Sequence, residues 1–160
     1  MTIVETLAIQ SKEGLFESLS SPLNLNPVEG LDFPVYRLEI NPEMVILIYQ
    51  ITGEQEIPDA LWENIHRHLK AVLFISERDT FGDWEPSPMI LDKLLDLEER
   101  TAMLIALESD EDWTEQIPDY ISQKGLFLGE KARLLFWQGE DRDSQLKVWE
   151  MVWGELLKPA

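Results

Sequence analysis

The sequence has no cysteine and only two histidines among its 160 residues. Without cysteine the chain cannot form a disulfide, bind a metal through thiolates or use a cysteine nucleophile. The histidines, His66 and His68, are two positions apart, so on a helix they lie on different faces and cannot form an i, i+4 metal-binding pair. No serine lies in a Gly-x-Ser-x-Gly motif. Two acidic clusters, one with Asp79, Asp83 and Glu85 and one over Glu108–Asp112, could bind a hard cation through oxygen ligands, but neither has the spacing of a calcium loop and both are interpreted as solvated loops. We therefore expect no catalytic residues and no metal ligands.

Basic residues are also scarce. The chain has 13 lysines and arginines against 31 aspartates and glutamates, and its formal net charge is −18. Nucleic acids and anionic lipid surfaces bind to basic protein surfaces, so the charge predicts that this chain binds neither. A basic protein surface is the kind of partner that this charge favours, although solubility alone is a sufficient reason for it.

Long apolar segments are missing. The longest, Met44–Ile51, is far shorter than the roughly 20 apolar residues that a membrane-spanning helix needs. The N-terminus has no basic segment followed by an apolar stretch, as a signal peptide would have. These features predict a cytoplasmic protein without membrane insertion.

Short apolar segments that alternate with amphipathic ones make up most of the chain. Buried strands are predicted over residues 44–51, 70–76, 101–107 and 131–137, and a half-buried edge strand over 33–40. Helices are predicted over residues 58–69, 89–99, 114–124 and 144–157. This order predicts a three-layer, doubly wound α/β fold with a mostly parallel sheet and one antiparallel edge strand. Residues 1–160 would then form a single domain.

The N-terminal segment, residues 1–30, is less clearly defined. Residues 2–9 suit a strand, followed by a turn that contains Gly14 and a short helix from Leu15. The same residues also suit one amphipathic helix. Residues 20–30 are rich in proline and asparagine and are predicted to form a loop.

The order of elements resembles the middle of a Ras-like small GTPase, in particular the bacterial gliding-motility and roadblock-associated branch. In that branch the second long strand ends in a motif like Tyr/Asp-x-Thr-Pro-Gly-Gln. Here the strand ends in Tyr49-Gln50-Ile51-Thr52-Gly53-Glu54-Gln55, and a helix with Trp62 follows. The resemblance covers residues 34–157 and implies a small-GTPase-like fold.

The sequence departs from that family at the nucleotide motifs. A phosphate-binding loop needs several glycines, a lysine and a serine or threonine. The corresponding segment, Gln10-Ser11-Lys12-Glu13-Gly14-Leu15, has one glycine and no Gly-Lys-Ser/Thr. Gln50 replaces the aspartate that helps to hold magnesium, and only Asp110 remains of the base-recognition motif. The resemblance therefore implies a degenerate member without a cofactor. The alternative is an atypical GTPase that retains weak binding of GTP with magnesium, through Gly53 and Asp110.

A protein partner follows from the same resemblance. It implies a non-catalytic adaptor that a roadblock/longin-type dimer or a basic protein surface contacts at the loop after Gly53 and at the helix that follows. The residues expected to bind this partner are Glu54, Gln55, Glu56, Asp59, Trp62 and Trp84. Exposed tryptophans within an acidic surface are typical of protein interfaces. Tryptophans that cover the edges of the core are the other interpretation.

Overall fold

A computed structural model of the chain describes residues 1–31, 33–52, 57–77, 97, 101–109 and 132–157. Its elements, in chain order, are β1 (Thr2–Gln10), α1 (Leu15–Leu19), β2 (Asn26–Pro27), β3 (Val35–Asn41), β4 (Met44–Thr52), α2 (Asp59–Ile65), β5 (Leu69–Glu77), β6 (Ala102–Glu108), β7 (Ala132–Trp137) and α3 (Arg142–Leu156). The helices predicted over residues 89–99 and 114–124 lie outside the described residues, apart from Leu97.

The seven strands form one sheet in the order β2-β3-β4-β1-β5-β6-β7. β4, β1, β5, β6 and β7 are parallel, whereas β3 is antiparallel to β4. The predicted mostly parallel α/β fold and the antiparallel strand near its edge are confirmed. One detail differs, because the two-residue β2 pairs with the outer side of β3. Asparagine and proline are both disfavoured in strands, so residue type did not predict β2.

Two hydrophobic cores lie on opposite faces of this sheet. The first core lies between the sheet and the helices α1 and α3, and its largest buried side chains are Phe16, Trp137 and Trp149. The second core lies on the α2 side and includes Ile57, Trp62 and Phe74. Side chains along β1 alternate between the cores, because a central parallel strand is buried on both faces.

The N-terminal segment adopts the first of its two predicted arrangements, a strand, a turn and a short helix. β1 is the central strand of the sheet, between β4 and β5. Its apolar residues pack into both cores, with Ala8 in the first and Leu7 in the second. A surface helix with one apolar face would not supply both cores, which is the physical reason for the strand.

The helices differ from the predictions at their ends. α2 ends at Ile65, where the backbone N–H of His66 donates to the Trp62 carbonyl, and Leu69 is already the first residue of β5. The helical spacing of Ile65 and Leu69 was misleading because both side chains are needed in the second core. α3 begins two residues earlier than predicted, after Asp141. Among the helices that the structure describes, none is long and apolar enough to cross a membrane.

Candidate functional site

The carboxyl ends of β1 and β4 lie side by side, with Gln10 of β1 paired to Thr52 of β4. The chain leaves β1 towards α1 on the first-core face and leaves β4 towards α2 on the second-core face. Open α/β sheets bind ligands at such a point, outside the carboxyl ends of the strands. The polar residues here are Gln10, Glu17, Gln50 and Thr52, which we call the strand-end cluster.

Gln10 connects α1 to β4 through both ends of its side-chain amide. Its Oε1 accepts a hydrogen bond from the backbone N–H of Phe16 at 2.8 Å, and its Nε2 donates to Thr52 Oγ1 at 3.3 Å. The side chain is 2% exposed. Gly14, at the N-cap position of α1, has no side chain to accept from the first N–H groups of the helix. Gln10 therefore supplies the cap of α1 from a neighbouring strand.

Gln50 is the second buried amide of the strand-end cluster, with 5% exposure. Its Nε2 donates to Glu17 Oε1 on α1 at 3.4 Å. Its Oε1 is buried and has no hydrogen-bond partner among the described residues. A buried acceptor without a partner costs about 1–3 kcal/mol. Such a cost at a strand end indicates a role other than packing.

The turn between β1 and α1 is also held to β5. The backbone N–H of Ser11 donates to the Ile75 carbonyl at 2.9 Å, and Lys12 Nζ lies 2.8 Å from Glu77 Oε1. Gly14 has φ +94, a left-handed conformation that favours glycine. The turn is thus held to β5 by one backbone hydrogen bond and one ion pair.

The charge around α1 is negative. Burial, followed by the nearby charge of Glu17, raises the pKa of Tyr36 above its ordinary value. The Tyr36 ring packs on Phe16 with ring centroids 5.3 Å apart. Tyr36 therefore stays a neutral phenol at physiological pH and adds no charge of its own to this region.

A second set of strand ends lies at β6 and β7. The backbone N–H of Ser109 donates to the Trp137 carbonyl at 2.9 Å. A Cβ atom on Gly139 would lie 2.9 Å from Glu108 Oε2, so the Glu108 carboxylate packs directly against the Gly139 backbone. The Trp137 Nε1 is buried and, within the described ranges, has no partner. This end corresponds to the base-recognition motif of the resemblance.

Most of the predicted site residues cannot be placed. Gly53, Glu54, Gln55, Glu56, Trp84 and Asp110 lie outside the described residues. Asp59 is the exposed first residue of α2. Trp62 is only 8% exposed and stacks on the His66 ring within the second core. Its contact with a partner stays a prediction, and its burial favours the interpretation that it covers the core.

The sequence reasoning missed two contacts of this cluster, the one between Gln10 and Thr52 and the one between Gln50 and Glu17. A signal was present, since Gln10 directly follows the apolar residues Leu7, Ala8 and Ile9, and Gln50 interrupts the apolar run of β4 near its end. A polar residue at a buried strand end, next to a predicted turn, is a candidate site residue. The distances between these side chains depend on strand pairing, which the sequence does not state.

The β1–α1 turn contains hydrogen-bond donors of the kind that bind a phosphate group. The backbone N–H of Phe16 and the Lys12 ammonium are groups that bind phosphate oxygens, but Gln10 holds the first and Glu77 the second. In the part of the chain that the structure describes, no three His, Cys, Asp or Glu side chains are grouped so that they could hold a metal ion. A nucleotide phosphate therefore fits this turn only after these internal contacts open.

Comparisons with known proteins agree with this architecture. No protein-family model matches the chain, and no curated protein matches it. The Arl6 (BBS3) small GTPase of Trypanosoma brucei, solved with the nucleotide analogue GppNp, is similar with 8% identity and a TM-score of 0.53, over 96% of this chain and 99% of that one. Aquifex aeolicus Era, solved with GDP.AlF4-, is similar with 12% identity and a TM-score of 0.56.

The Era comparison covers 100% of this chain but 59% of the Era chain. The cytosolic domain of the T. maritima FeoB iron transporter, solved in apo form, is similar with 14% identity and a TM-score of 0.53, over 98% of this chain and 64% of that one. This chain thus spans less than two thirds of either protein.

These comparisons correct one expectation, that the protein has no cofactor. That expectation is contradicted, because two of the similar structures contain a bound guanine nucleotide or its analogue. That expectation was based on the absence of a phosphate-loop motif. The motif is one way of binding phosphate and does not describe the whole fold. The bacterial branch and the degenerate character stay predictions. The chain has the fold of small GTP-binding proteins.

Proposed function

We propose that this protein binds guanine nucleotide weakly at the strand-end cluster and acts as a non-hydrolysing interaction protein. The observation that carries this proposal is the contact between Gln10 Oε1 and the Phe16 N–H. A buried acceptor oxygen accepts from a donor of the β1–α1 turn, at the carboxyl ends of the strands, where open α/β folds bind ligands. A phosphate oxygen is an acceptor of the same kind.

The likeness in fold supports guanine nucleotide as the ligand class, because the Arl6 and Era structures contain GppNp and GDP.AlF4-. Weak binding follows from charge and from the internal contacts. A net charge of −18 repels a polyphosphate. Displacement of the hydrogen bond from Phe16 to Gln10 opposes binding by about 0.5–1.5 kcal/mol.

Hydrolysis has less support than binding. Phosphoryl transfer to water relies on magnesium to neutralise developing charge and on a residue that orients the attacking water. At the end of β4 the chain has the neutral amide of Gln50 where a carboxylate would hold magnesium better. Lys12, the cation of the turn, is paired with Glu77. We therefore assign binding without turnover.

The interaction role rests on the acidic surface next to this site. Asp59 is exposed at the start of α2, directly after the segment that joins β4 to this helix. We assign to this region the contact with a basic surface, such as that of a roadblock/longin-type dimer. Attraction between oppositely charged surfaces speeds association and weakens as salt rises.

Calorimetric titration of the nucleotide-free protein tests the binding proposal. We expect GDP and GTP to bind no more tightly than about 1 μM, ATP to bind more weakly, and no phosphate to be released from GTP. Asp141→Asn, at the start of α3, is the matched control and should leave the affinity unchanged. Failure of both GDP and GTP to bind at millimolar concentration would contradict nucleotide binding, and steady phosphate release would contradict the absence of turnover.

Charge reversal at Asp59 tests the interaction role. With a purified roadblock/longin-type dimer as the probe, Asp59→Lys should weaken association, and the difference from wild type should shrink in high salt. Glu150→Lys makes the same charge change on the exposed surface of α3 and is the control. Equal effects of both variants would show that overall charge, rather than the α2 region, determines association.

A further inference from the structure

We infer that Gln10 regulates the proposed nucleotide site as an internal cap, which must leave Phe16 before a phosphate can bind. This inference rests on the proposed function and concerns the same site. It assigns two states to one side chain. In the capped state Gln10 Oε1 accepts from the Phe16 N–H, as observed at 2.8 Å. In the uncapped state that N–H is available to a ligand oxygen.

Among the described residues, Gln10 is the one that caps α1. Gly14 makes no side-chain cap, and α1 has only five residues, so it has few internal hydrogen bonds of its own. The cap reaches α1 from a buried strand, six residues before Phe16. A side chain on a rigid strand can rotate away without unfolding the helix, whose Leu15, Phe16 and Leu19 remain buried against the sheet.

Gln50 provides an independent observation that points to a second position for Gln10. Gln50 Oε1 is a buried acceptor without a partner among the residues described, and Gln50 is only 5% exposed. Gln10 and Gln50 lie on adjacent parallel strands and are offset by two residues, because Gln10 pairs with Thr52 and Ala8 pairs with Gln50. Both side chains therefore lie on the same face of the sheet. When Gln10 Oε1 leaves Phe16, its Nε2 can donate to Gln50 Oε1. The uncapped state then satisfies an acceptor that the capped state leaves unpaired.

The ion pair between Lys12 and Glu77 is a weaker restraint on the same turn. Their side chains are 57% and 31% exposed, and exposed pairs of this kind contribute little and are screened by salt. We therefore assign control of the Phe16 N–H mainly to Gln10, while the hydrogen bond from Ser11 to the Ile75 carbonyl keeps the start of the turn on β5. A site that is uncapped about one tenth of the time binds its ligand about tenfold more weakly than one that is always uncapped.

Two substitutions at Gln10 change the cap in opposite directions, with GDP as the probe. Gln10→Ala removes the acceptor and should increase GDP affinity about tenfold. Gln10→Glu keeps an acceptor on Phe16 and makes it anionic, so affinity should fall at least about tenfold. Gln10→Asn, one methylene shorter, is a second uncapped variant in case Gln10→Ala does not fold.

Amide hydrogen exchange provides a readout that does not depend on the ligand. The Phe16 N–H should exchange faster in ligand-free Gln10→Ala than in wild type and stay protected in Gln10→Glu. Gln145→Ala is the matched control, because Gln145 is also a buried glutamine that contacts α1, through Nε2 to the Ser18 carbonyl at 3.0 Å. It should change neither GDP affinity nor Phe16 exchange.

The outcomes separate the inference from the proposed function. If wild type binds GDP and the uncapped variants bind it no more tightly, the internal cap is wrong while nucleotide binding stands. Unchanged Phe16 exchange in Gln10→Ala overturns the cap in the same way. If neither wild type nor the uncapped variants bind GDP at millimolar concentration, the proposed function is wrong and this inference is wrong with it.

Discussion

The helices α1 and α3 both begin near the carboxyl ends of strands, but their first N–H groups are capped in different ways. At α3 the cap is local, since Asp141 Oδ1 accepts from the N–H groups of Asp143 and Ser144 at 3.1 and 3.4 Å. At α1 the acceptor comes from Gln10 on a buried strand. A local cap moves with its helix and serves stability. A cap supplied by another element can be withdrawn while both elements stay folded.

The largest effect on stability is expected where α3 contacts α1. Trp149 of α3 is 1% exposed and donates from Nε1 to the Leu19 carbonyl at the end of α1, at 2.9 Å. Trp149→Ala removes this link and leaves a cavity, so the free energy of unfolding should fall by about 3–5 kcal/mol in urea denaturation. Met151→Ala, at an exposed position of the same helix, should change it by no more than about 0.5 kcal/mol. A loss below about 1 kcal/mol for Trp149→Ala would show that α1 does not depend on α3.

Substitution of two glycines, one before α1 and one inside α3, should change the stability of the protein in opposite directions. A Cβ atom on Gly14 or on Gly154 would meet no atom of the described residues within 4 Å, so the backbone conformation decides the effect at both positions. Gly14→Ala should destabilise by about 1–2 kcal/mol because φ is +94. Gly154→Ala, inside α3, should stabilise by about 0.5–1 kcal/mol. Thermal unfolding of the two variants measures both, and shifts of the same sign would contradict the left-handed turn before α1.

Removal of the local cap tests whether α3 differs from α1 in function. Asp141→Ala should lower the free energy of unfolding by about 1 kcal/mol, since two backbone N–H groups lose their acceptor. GDP affinity and the exchange rate of the Phe16 N–H should not change. Denaturation and titration of the same preparation give both values. A change in affinity would mean that the two helix starts are coupled.

The smallest effect is expected for the exposed ion pair of the β1–α1 turn. Lys12→Met should lower the free energy of unfolding by less than about 1 kcal/mol, because Lys12 and Glu77 are partly exposed. The difference from wild type should disappear in about 1 M salt, where the Debye length is about 3 Å. Lys147→Met, at an exposed position of α3, is the control. A difference that persists in salt would show that Lys12 acts through more than its charge.

The strands were the most predictable part of the fold. The sequence placed β4 to β7 within about two residues of their ends, because continuous apolar runs between turn residues have few other solutions. For the first strand the sequence leaves two alternatives, since residues 2–9 have apolar side chains at both strand and helix spacings. Its central position, between β4 and β5, settles the choice through tertiary contacts that a local pattern does not contain.

The contacts of the candidate site were less predictable than the strands. The resemblance proposed Gly53 and Asp110 as nucleotide-binding residues, and both lie outside the described residues. It also marked residues 10–15 as the counterpart of a phosphate-binding loop and Gln50 as an exchange at a magnesium-binding position. It did not show that Gln50 is buried with an unpartnered oxygen, or that Gln10 caps α1. The position of Gln50 depends on the pairing of β4 with β1, and the cap depends on the turn that brings Phe16 back to Gln10. Absence of a motif was read as absence of a cofactor, although a fold can hold its ligand through other donors.

The stacked indoles of α3 give the chain an optical reporter of its own. Trp149 and Trp153 have ring centroids 5.3 Å apart and an interplanar angle of 27°. Trp149 also contacts the ring of Phe16 edge to face, with centroids 6.4 Å apart. Phe16 carries the N–H that Gln10 caps, so any shift of α1 as the cap leaves will change the surroundings of this indole pair. Near-ultraviolet circular dichroism of the unlabelled protein can therefore follow the opening of the turn in real time.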